Sequence, residues 1–364
     1  MPASPESFFP TDYVDSRRRF LSAAGEAGAA LDGRVHETAR GARGEALWMD
    51  AARLGPPPGA AEAMLLILSG THGVEGFCGA GAQIGTLQAR AEAAPLPPDT
   101  ALLMVHAVNP YGFSWLRRVN EDNIDLNRNF IDREAGAPPR NAGYDAIRAI
   151  AAPDDWDADA NLAAADDARA AMGDRAWRAA HSGGQYQDPV GIFYGGDGPS
   201  WSSQALFGLL DQHLAGVKRL AVLDYHTGLG PPGYGERIAM HDPASAAMAR
   251  LDSWFGGDVT STHAGTAVTV PLSGTILDGI ERRYADAAVS AAALEFGTID
   301  NRHVQLAVRA DNWLHHHGAL DSPQGFRIKQ QIRDAFFVDE DWWKRAVWER
   351  GVETQRAMLE GLAL

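Results

Sequence analysis

The sequence predicts an α/β protein built on a mostly parallel sheet with helices on both faces. Two observations predict it. Four apolar runs are continuous rather than alternating: Met64–Ser69, Ala101–His106, Leu220–Asp224 and Val289–Leu294. Strands covered on both faces read this way, as in parallel sheets. Helical stretches lie between them, for example Gly79–Ala91 and Ser202–Leu214, and strands interleaved with helices define the class. The length of 364 residues, with 45% hydrophobic and 22% charged side chains, excludes a disordered, collagenous or coiled-coil chain.

From the N-terminus, Tyr13, Arg17, Phe20, Leu21 and Ala24 recur at helical spacing and predict an amphipathic helix over residues 12–31. The same stretch holds Ser16-Arg17-Arg18-Arg19-Phe20-Leu21, which looks like a twin-arginine export signal. The residues that follow contain Glu26 and Asp32 and lack the uninterrupted apolar core such a signal requires. The Pro-rich pieces Pro56–Pro58 and Pro95–Pro98 read as loops before strands. Residues 140–175 are rich in Ala and Asp and read as helix with turns, and residues 182–200, with six glycines and two prolines, read as a long loop. From Arg302 onward the pattern is helical, with Trp313, Trp342, Trp343 and Trp348 expected to anchor the packing.

No apolar run approaches the ~20 residues of a membrane span. With 32 Lys+Arg against 47 Asp+Glu the net charge is −15, which argues against nucleic acid or an anionic membrane as partner. Cys78 is the single cysteine, so neither an intramolecular disulfide nor a cysteine zinc cage is available. The expectation is a cytoplasmic chain.

The chemistry gathers at the ends of the predicted strands. The first strand runs into Gly70-Thr71-His72-Gly73-Val74-Glu75-Gly76. An imidazole and a carboxylate three residues apart in one tight turn can share a zinc ion at about 2.0–2.2 Å, though the pair alone also recurs by chance. The third strand ends in Asp224-Tyr225-His226. His226 can complete a three-ligand site or serve as a core histidine bonded to backbone. The second strand leads into Asn109-Pro110 and the polar stretch Arg117–Phe130, anchored by Ile124, Leu126 and Phe130. Its guanidinium groups suit a substrate carboxylate or carbonyl, and equally a surface laced with ion pairs. The fourth strand ends in Ala293-Leu294-Glu295-Phe296. A carboxylate in an apolar strand is costly unless it is paired or has a task, and near a metal it suits a general base. His315-His316-His317, His106, His241, His263 and Cys78 are assigned to packing or surface roles.

His72-x-x-Glu75, Asn109-Pro110, Arg118, Asp125-Leu126-Asn127-Arg128-Asn129-Phe130, His226 and Glu295 occur in the order of the zinc carboxypeptidase superfamily. The chain resembles its carboxypeptidase A-like and aspartoacylase/succinylglutamate desuccinylase-like members, and above all an uncharacterised bacterial branch. The resemblance implies a central mixed sheet of about eight strands with the site at their carboxyl ends. It implies one catalytic domain over residues 1–364 with an insertion at about 134–200. It also implies one Zn²⁺ per chain held by His72, Glu75 and His226. Arg118 would polarise the scissile carbonyl, Asn127 and Arg128 would bind a substrate carboxylate, and Glu295 would act as general base and acid. The superfamily's peptidases carry a substrate-binding tyrosine in a loop before the catalytic glutamate. Here Ala267–Ser273 contains none and Tyr284 lies only eleven residues before Glu295, so Tyr194 and Tyr234, on glycine-rich loops, are the candidates. The implied partner is a small-molecule or short-peptide substrate. The implied reaction is hydrolysis of its amide bond, with an N-acyl amino acid deacylase as the alternative and a non-catalytic binding protein as the third reading.

Overall fold

A computed structural model describes residues 4–91 and 96–364, so Pro95 of the expected loop lies outside the described residues. The elements run α1 (Tyr13–Glu26), β1 (Ala30–Arg40), β2 (Ala46–Leu54), β3 (Ala63–Leu68), α2 (Gly76–Arg90), β4 (Thr100–His106), α3 (Pro110–Ser114), α4 (Ala142–Ala151), α5 (Ala158–Met172) and α6 (Asp174–Ser182). They continue with α7 (Trp201–His213), β5 (Arg219–Pro232), β6 (Gly235–Ala239), α8 (Ala246–Phe255), β7 (Thr260–Ser261), α9 (Ile276–Arg283), β8 (Ala288–Gly297), α10 (Asn301–His316), α11 (Pro323–Phe336) and α12 (Asp341–Leu362).

The strands form one mixed sheet in the order β1-β2-β4-β3-β5-β8-β6-β7. The four predicted apolar runs are its central strands β4, β3, β5 and β8, all parallel to their neighbours in that group. Successive residues of β3 feed opposite layers. Leu65 and Ile67 join the core under α1, α2 and α12. Met64, Leu66 and Leu68 join the core under α7 and α9. Burial on both faces is why these strands show no polar alternation.

The outer strands carry weaker signals. β1 is largely exposed and pairs antiparallel with β2, whose buried Leu47, Met49, Ala51 and Ala52 are interrupted by Asp50 and Arg53. β6 pairs antiparallel with β8. The N-terminal helix is also shorter than the predicted 12–31. It stops at Glu26, Gly28 takes φ +71° in the left-handed region that ends helices, and Ala30 already belongs to β1. Trp343 is fully buried and donates its indole N–H to Gly297 O at 2.8 Å, whereas Trp342 is 52% exposed and anchors nothing in the core. No helix among the described residues is long and apolar enough to cross a membrane.

β3 lies between β4 and β5. The chain leaves β3 for β4 on one side and then crosses back to β5 on the other. Such a reversal opens a crevice at the carboxyl ends of the strands, where α/β sheets bind ligands.

Candidate metal centre

His72 follows β3 in an extended conformation (φ −97°, ψ 124°), and residues 73–75 then make one short turn that delivers Glu75 beside it. Gly73 is required here, because a Cβ would lie 2.0 Å from the carbonyl carbon of Gly112. The same close approach ties the turn to the arginine segment: Gly73 and Val74 N–H donate to the carbonyls of Arg118 and Arg117 at 3.2 and 2.8 Å. Asn109 caps α3 by accepting from Gly112 N–H at 2.8 Å, and its amide donates to Arg118 O at 3.3 Å. Thus the Asn109-Pro110 turn sets the path of Arg118.

His226 sits inside β5, in register with Glu295 on β8. Across the crevice, His72 Nδ1 lies 2.8 Å from Glu75 Oε1 and His226 Nδ1 lies 3.1 Å from Glu75 Oε2. One ligand atom from each of the three residues falls within 4.8 Å of the others, and all three residues are buried. Among the described residues this is the one group of three such side chains that converges in this way.

Each imidazole is held from behind by a carboxylate that sequence reasoning gave no role. His226 Nε2 lies 2.7 Å from Asp224 Oδ2, and Asp224 Oδ1 accepts from Thr71 Oγ1 at 2.9 Å. His72 Nε2 lies 3.2 Å from Asp125 Oδ1 and 2.7 Å from Arg118 Nη2, which itself can only donate. A proton placed on His226 Nε2 leaves its Nδ1 lone pair facing Glu75, the arrangement that orients metal-binding histidines. A signal for Asp224 was present in the sequence: residues 224 and 226 share one strand face at period 2. The donor set of two imidazole nitrogens and a carboxylate fits a zinc-type ion.

The electrostatics match this reading. Burial pushes the Glu75 carboxyl up, but the His72 charge and hydrogen bonds from both histidines outweigh it and hold it far below the usual carboxylate range. Burial lowers His226, yet the charge and hydrogen bond of Asp224 dominate and hold it well above the ordinary histidine value. Such a nest of negative charge around two imidazoles suits a divalent cation, which replaces the protons. Glu295 is pushed up to about 8 by burial and by the Glu75 charge. Its Oε1 accepts from Leu229 N–H at 3.0 Å.

Arg118 donates from Nε to Asp125 Oδ2 at 2.9 Å and from Nη1 to Glu75 Oε1 at 3.2 Å. Asn127 Oδ1 accepts from Ile276 N–H at 2.9 Å at the start of α9, which leaves its amide Nδ2 without a partner among the described residues. Arg128 is buried, gives Nη2 to Ser182 O at 2.6 Å, and keeps Nε without a partner among the described residues. His72, Glu75, Arg118, Asn127, Arg128, His226 and Glu295 all line one cleft of about 740 Å³, mouth included.

The two tyrosine expectations require correction. Tyr194 is 8% exposed in an apolar cluster with Ile124 and Leu126, and it reaches the site only through its carbonyl, which accepts from Asp125 N–H at 2.7 Å. Tyr234 is 49% exposed at the β5–β6 turn. Neither lines the cleft, and no tyrosine does among the described residues. Tyrosine in a glycine-rich loop is a weak signal, because loop path decides where the ring points. The residues assigned to packing lie outside the cleft: Cys78 and His106 are buried, and His241 pairs with Glu281 at 3.0 Å.

Fold and site together define a mixed α/β protein with a buried His/Glu/His centre suited to a metal ion at the carboxyl edge of its sheet. Residues 9–350 match the family described as a protein of unknown function, DUF2817, and the chain belongs to that family. A search of curated protein sequences finds no match. Among solved structures, the chain is similar to carboxypeptidase A from Helicoverpa armigera at 12% identity and a TM-score of 0.48, covering 90% of this chain and 74% of that one. A metallo-carboxypeptidase from Burkholderia cenocepacia aligns at 11% identity and a TM-score of 0.44 over 96% of this chain and 71% of that one. The murein-tripeptide amidase MpaA from Escherichia coli O157 aligns at 18% identity and a TM-score of 0.35 over 85% and 95%.

The orienting role of Asp224 carries an expected result. Asp224→Ala leaves the His226 tautomer unfixed and should weaken metal affinity by ~10–100-fold. Competition against a chelator of known affinity measures this, and unchanged affinity would remove the role.

Proposed function

We propose that the protein is a zinc-dependent hydrolase of an amide bond in a small substrate bearing one free carboxylate. The observation that carries this reading is the convergence of His72, Glu75 and His226 with both Nε2 atoms held by buried aspartates and Glu295 on the wall of the same cleft. These three residues would hold the ion. A zinc ion bound there supplies Lewis acidity where a carbonyl and a water meet.

The chain's own groups supply the rest. Glu295 has Oε1 committed to Leu229 N–H and no partner on Oε2 among the described residues, so Oε2 is the oxygen that takes a proton from the attacking water and returns it to the leaving nitrogen. Its raised proton affinity suits both halves of that transfer near neutral pH. Arg118 donates to the carbonyl oxygen as negative charge grows on it. Arg128 and the free amide of Asn127 bind the substrate carboxylate.

The lining also narrows the substrate. Ile238, Met240, Leu272, Ala293, Val304, Val308 and Phe336 contribute apolar side chains to the lining. Arg118 and Arg128 are the only Lys or Arg side chains lining the cleft among the described residues. With one assigned to the carbonyl and the other to a carboxylate, a second substrate carboxylate would be desolvated without a counter-charge. The reading therefore favours a mono-acid with apolar groups over a dicarboxylate. Because no tyrosine among the described residues lines the cleft, deacylation of an N-acyl amino acid is the second reading, beside release of a C-terminal residue.

Zinc-loaded protein assayed on dipeptides and N-acyl amino acids, each as free acid and amide, tests this. Hydrolysis of an apolar free-acid substrate is expected. Absence of turnover across the panel with zinc bound would favour the binding-protein reading. Arg128→Lys keeps the charge but loses the two-pronged geometry. It should chiefly raise KM for free-acid substrates, while amidated analogues, poor for the unaltered protein, change little. Equal turnover of acid and amide by the unaltered protein would count against Arg128 in this role.

A further inference from the structure

Two cationic side chains face one small cleft, and the fold must hold both still although they repel each other. Phe193, in the segment between α6 and α7, lies against both. Its ring centroid is 5.0 Å from the Arg118 guanidinium carbon and 5.6 Å from that of Arg128. An aromatic face presents negative charge to a cation, so a shared ring attracts both groups while occupying the space through which they would move. Phe193 lines the cleft and is 7% exposed.

Its backbone is held in place at a cost. Phe193 has φ +53°, a left-handed conformation that side chains larger than glycine seldom adopt. Such strain persists only where the surroundings over-determine it, and it gathers at working sites. The surroundings do so here. Phe193 O accepts from Gln185 N–H at 3.1 Å, and the next carbonyl, Tyr194 O, accepts from Asp125 N–H at 2.7 Å. Asp125 is the residue that holds both His72 and Arg118. The same segment grips Arg128 further: Ser182 O accepts from Nη2 at 2.6 Å, and Tyr186 Oη donates to Arg128 O at 2.6 Å. Gly184 leaves room for the side chain, since a Cβ there would lie 2.5 Å from Arg128 Cδ.

We infer that Phe193 is a positioning residue that sets the separation of the Arg118 and Arg128 guanidiniums, and so the distance between a bound carbonyl and a bound carboxylate. Its kinetic consequence rests on the proposed amide hydrolysis, but its structural content does not.

Crystal structures of zinc-loaded unaltered protein, Phe193→Leu and Phe193→Tyr test it, with Phe193→Met in place of the leucine variant should that one not fold. All keep a side chain at the left-handed position, so backbone strain is common to them. In the leucine or methionine variant one or both guanidiniums should move by about 1 Å or more from Asp125 and Ser182, while Phe193→Tyr keeps them. A misplacement of that size can cost ~10² in rate. kcat/KM should fall by about that factor, shared between lower kcat through Arg118 and higher KM through Arg128, with zinc content unchanged, and Phe193→Tyr should restore most of it. Guanidiniums unmoved in the non-aromatic variants would overturn the inference whatever the kinetics. If the unaltered protein hydrolyses nothing, the proposed function fails, and the arginine positions still decide the role of Phe193.

Discussion

Glu295→Gln is expected to keep its zinc and its fold while kcat falls by ~10²–10⁴, the usual contribution of a positioned general base. The amide retains the carboxylate's shape and can still accept from Leu229 N–H, which Oε1 does at 3.0 Å. It cannot accept a proton from water. Substrate binding should be little changed, so the loss appears in kcat rather than KM. Stability should hold or rise, because Glu295 is buried and the charge of Glu75 opposes its own, and replacing a buried charge by a neutral group of the same shape is often neutral or better. Two results are fatal to the assignment. One is zinc lost together with activity, which makes Glu295 a ligand. The other is kcat preserved within about threefold, far below the range for a general base.

Removal of either histidine should have the largest effect of all. His72→Ala or His226→Ala is expected to lose stoichiometric zinc and to lower activity to background. Zinc added back should revive chelator-treated unaltered protein but neither variant. The variants should also be less stable. In His226→Ala the fully buried Asp224 loses its imidazole partner, and an uncompensated buried charge costs about 3–5 kcal/mol. Zinc in thousandfold excess over its dissociation constant would further stabilise only the unaltered protein, by about 4 kcal/mol. Elemental analysis and thermal melts with and without zinc measure both effects. Protein prepared without chelators and free of any transition metal would sink the site assignment.

The four central strands were legible because a strand buried on both faces has no polar alternation, and β3 shows why: Met64, Leu66 and Leu68 face one layer, Leu65 and Ile67 the other. The outer strands were not. β1 exposes most of its length to solvent, so its residues obey no strong apolar pattern, and its pairing with β2 is what makes it a strand. The helix predicted to run to residue 31 failed at Gly28, where a left-handed φ turns the chain into β1.

The residues proposed to do the chemistry were nameable as a set only through the family resemblance, because the local pattern left His72, Glu75, His226 and Glu295 each open to a structural role. Their roles as neighbours were not readable. Glu75 meets His226 across 151 residues of chain, and His72 meets Asp125 across 53. Phe193 stands by two arginines only because a hydrogen-bonded loop carries it there, and by the same dependence on loop path Tyr194 and Tyr234 miss the cleft. The sequence by itself determined the fold class and the central strands, since strand period acts over two to four residues, and the candidate ligating and proton-moving side chains came from the family resemblance. Only the tertiary structure decided which aspartates hold the histidines, how the arginines are spaced and how apolar the cleft is. Those depend on how distant segments pack, and no local rule carries that information along the chain.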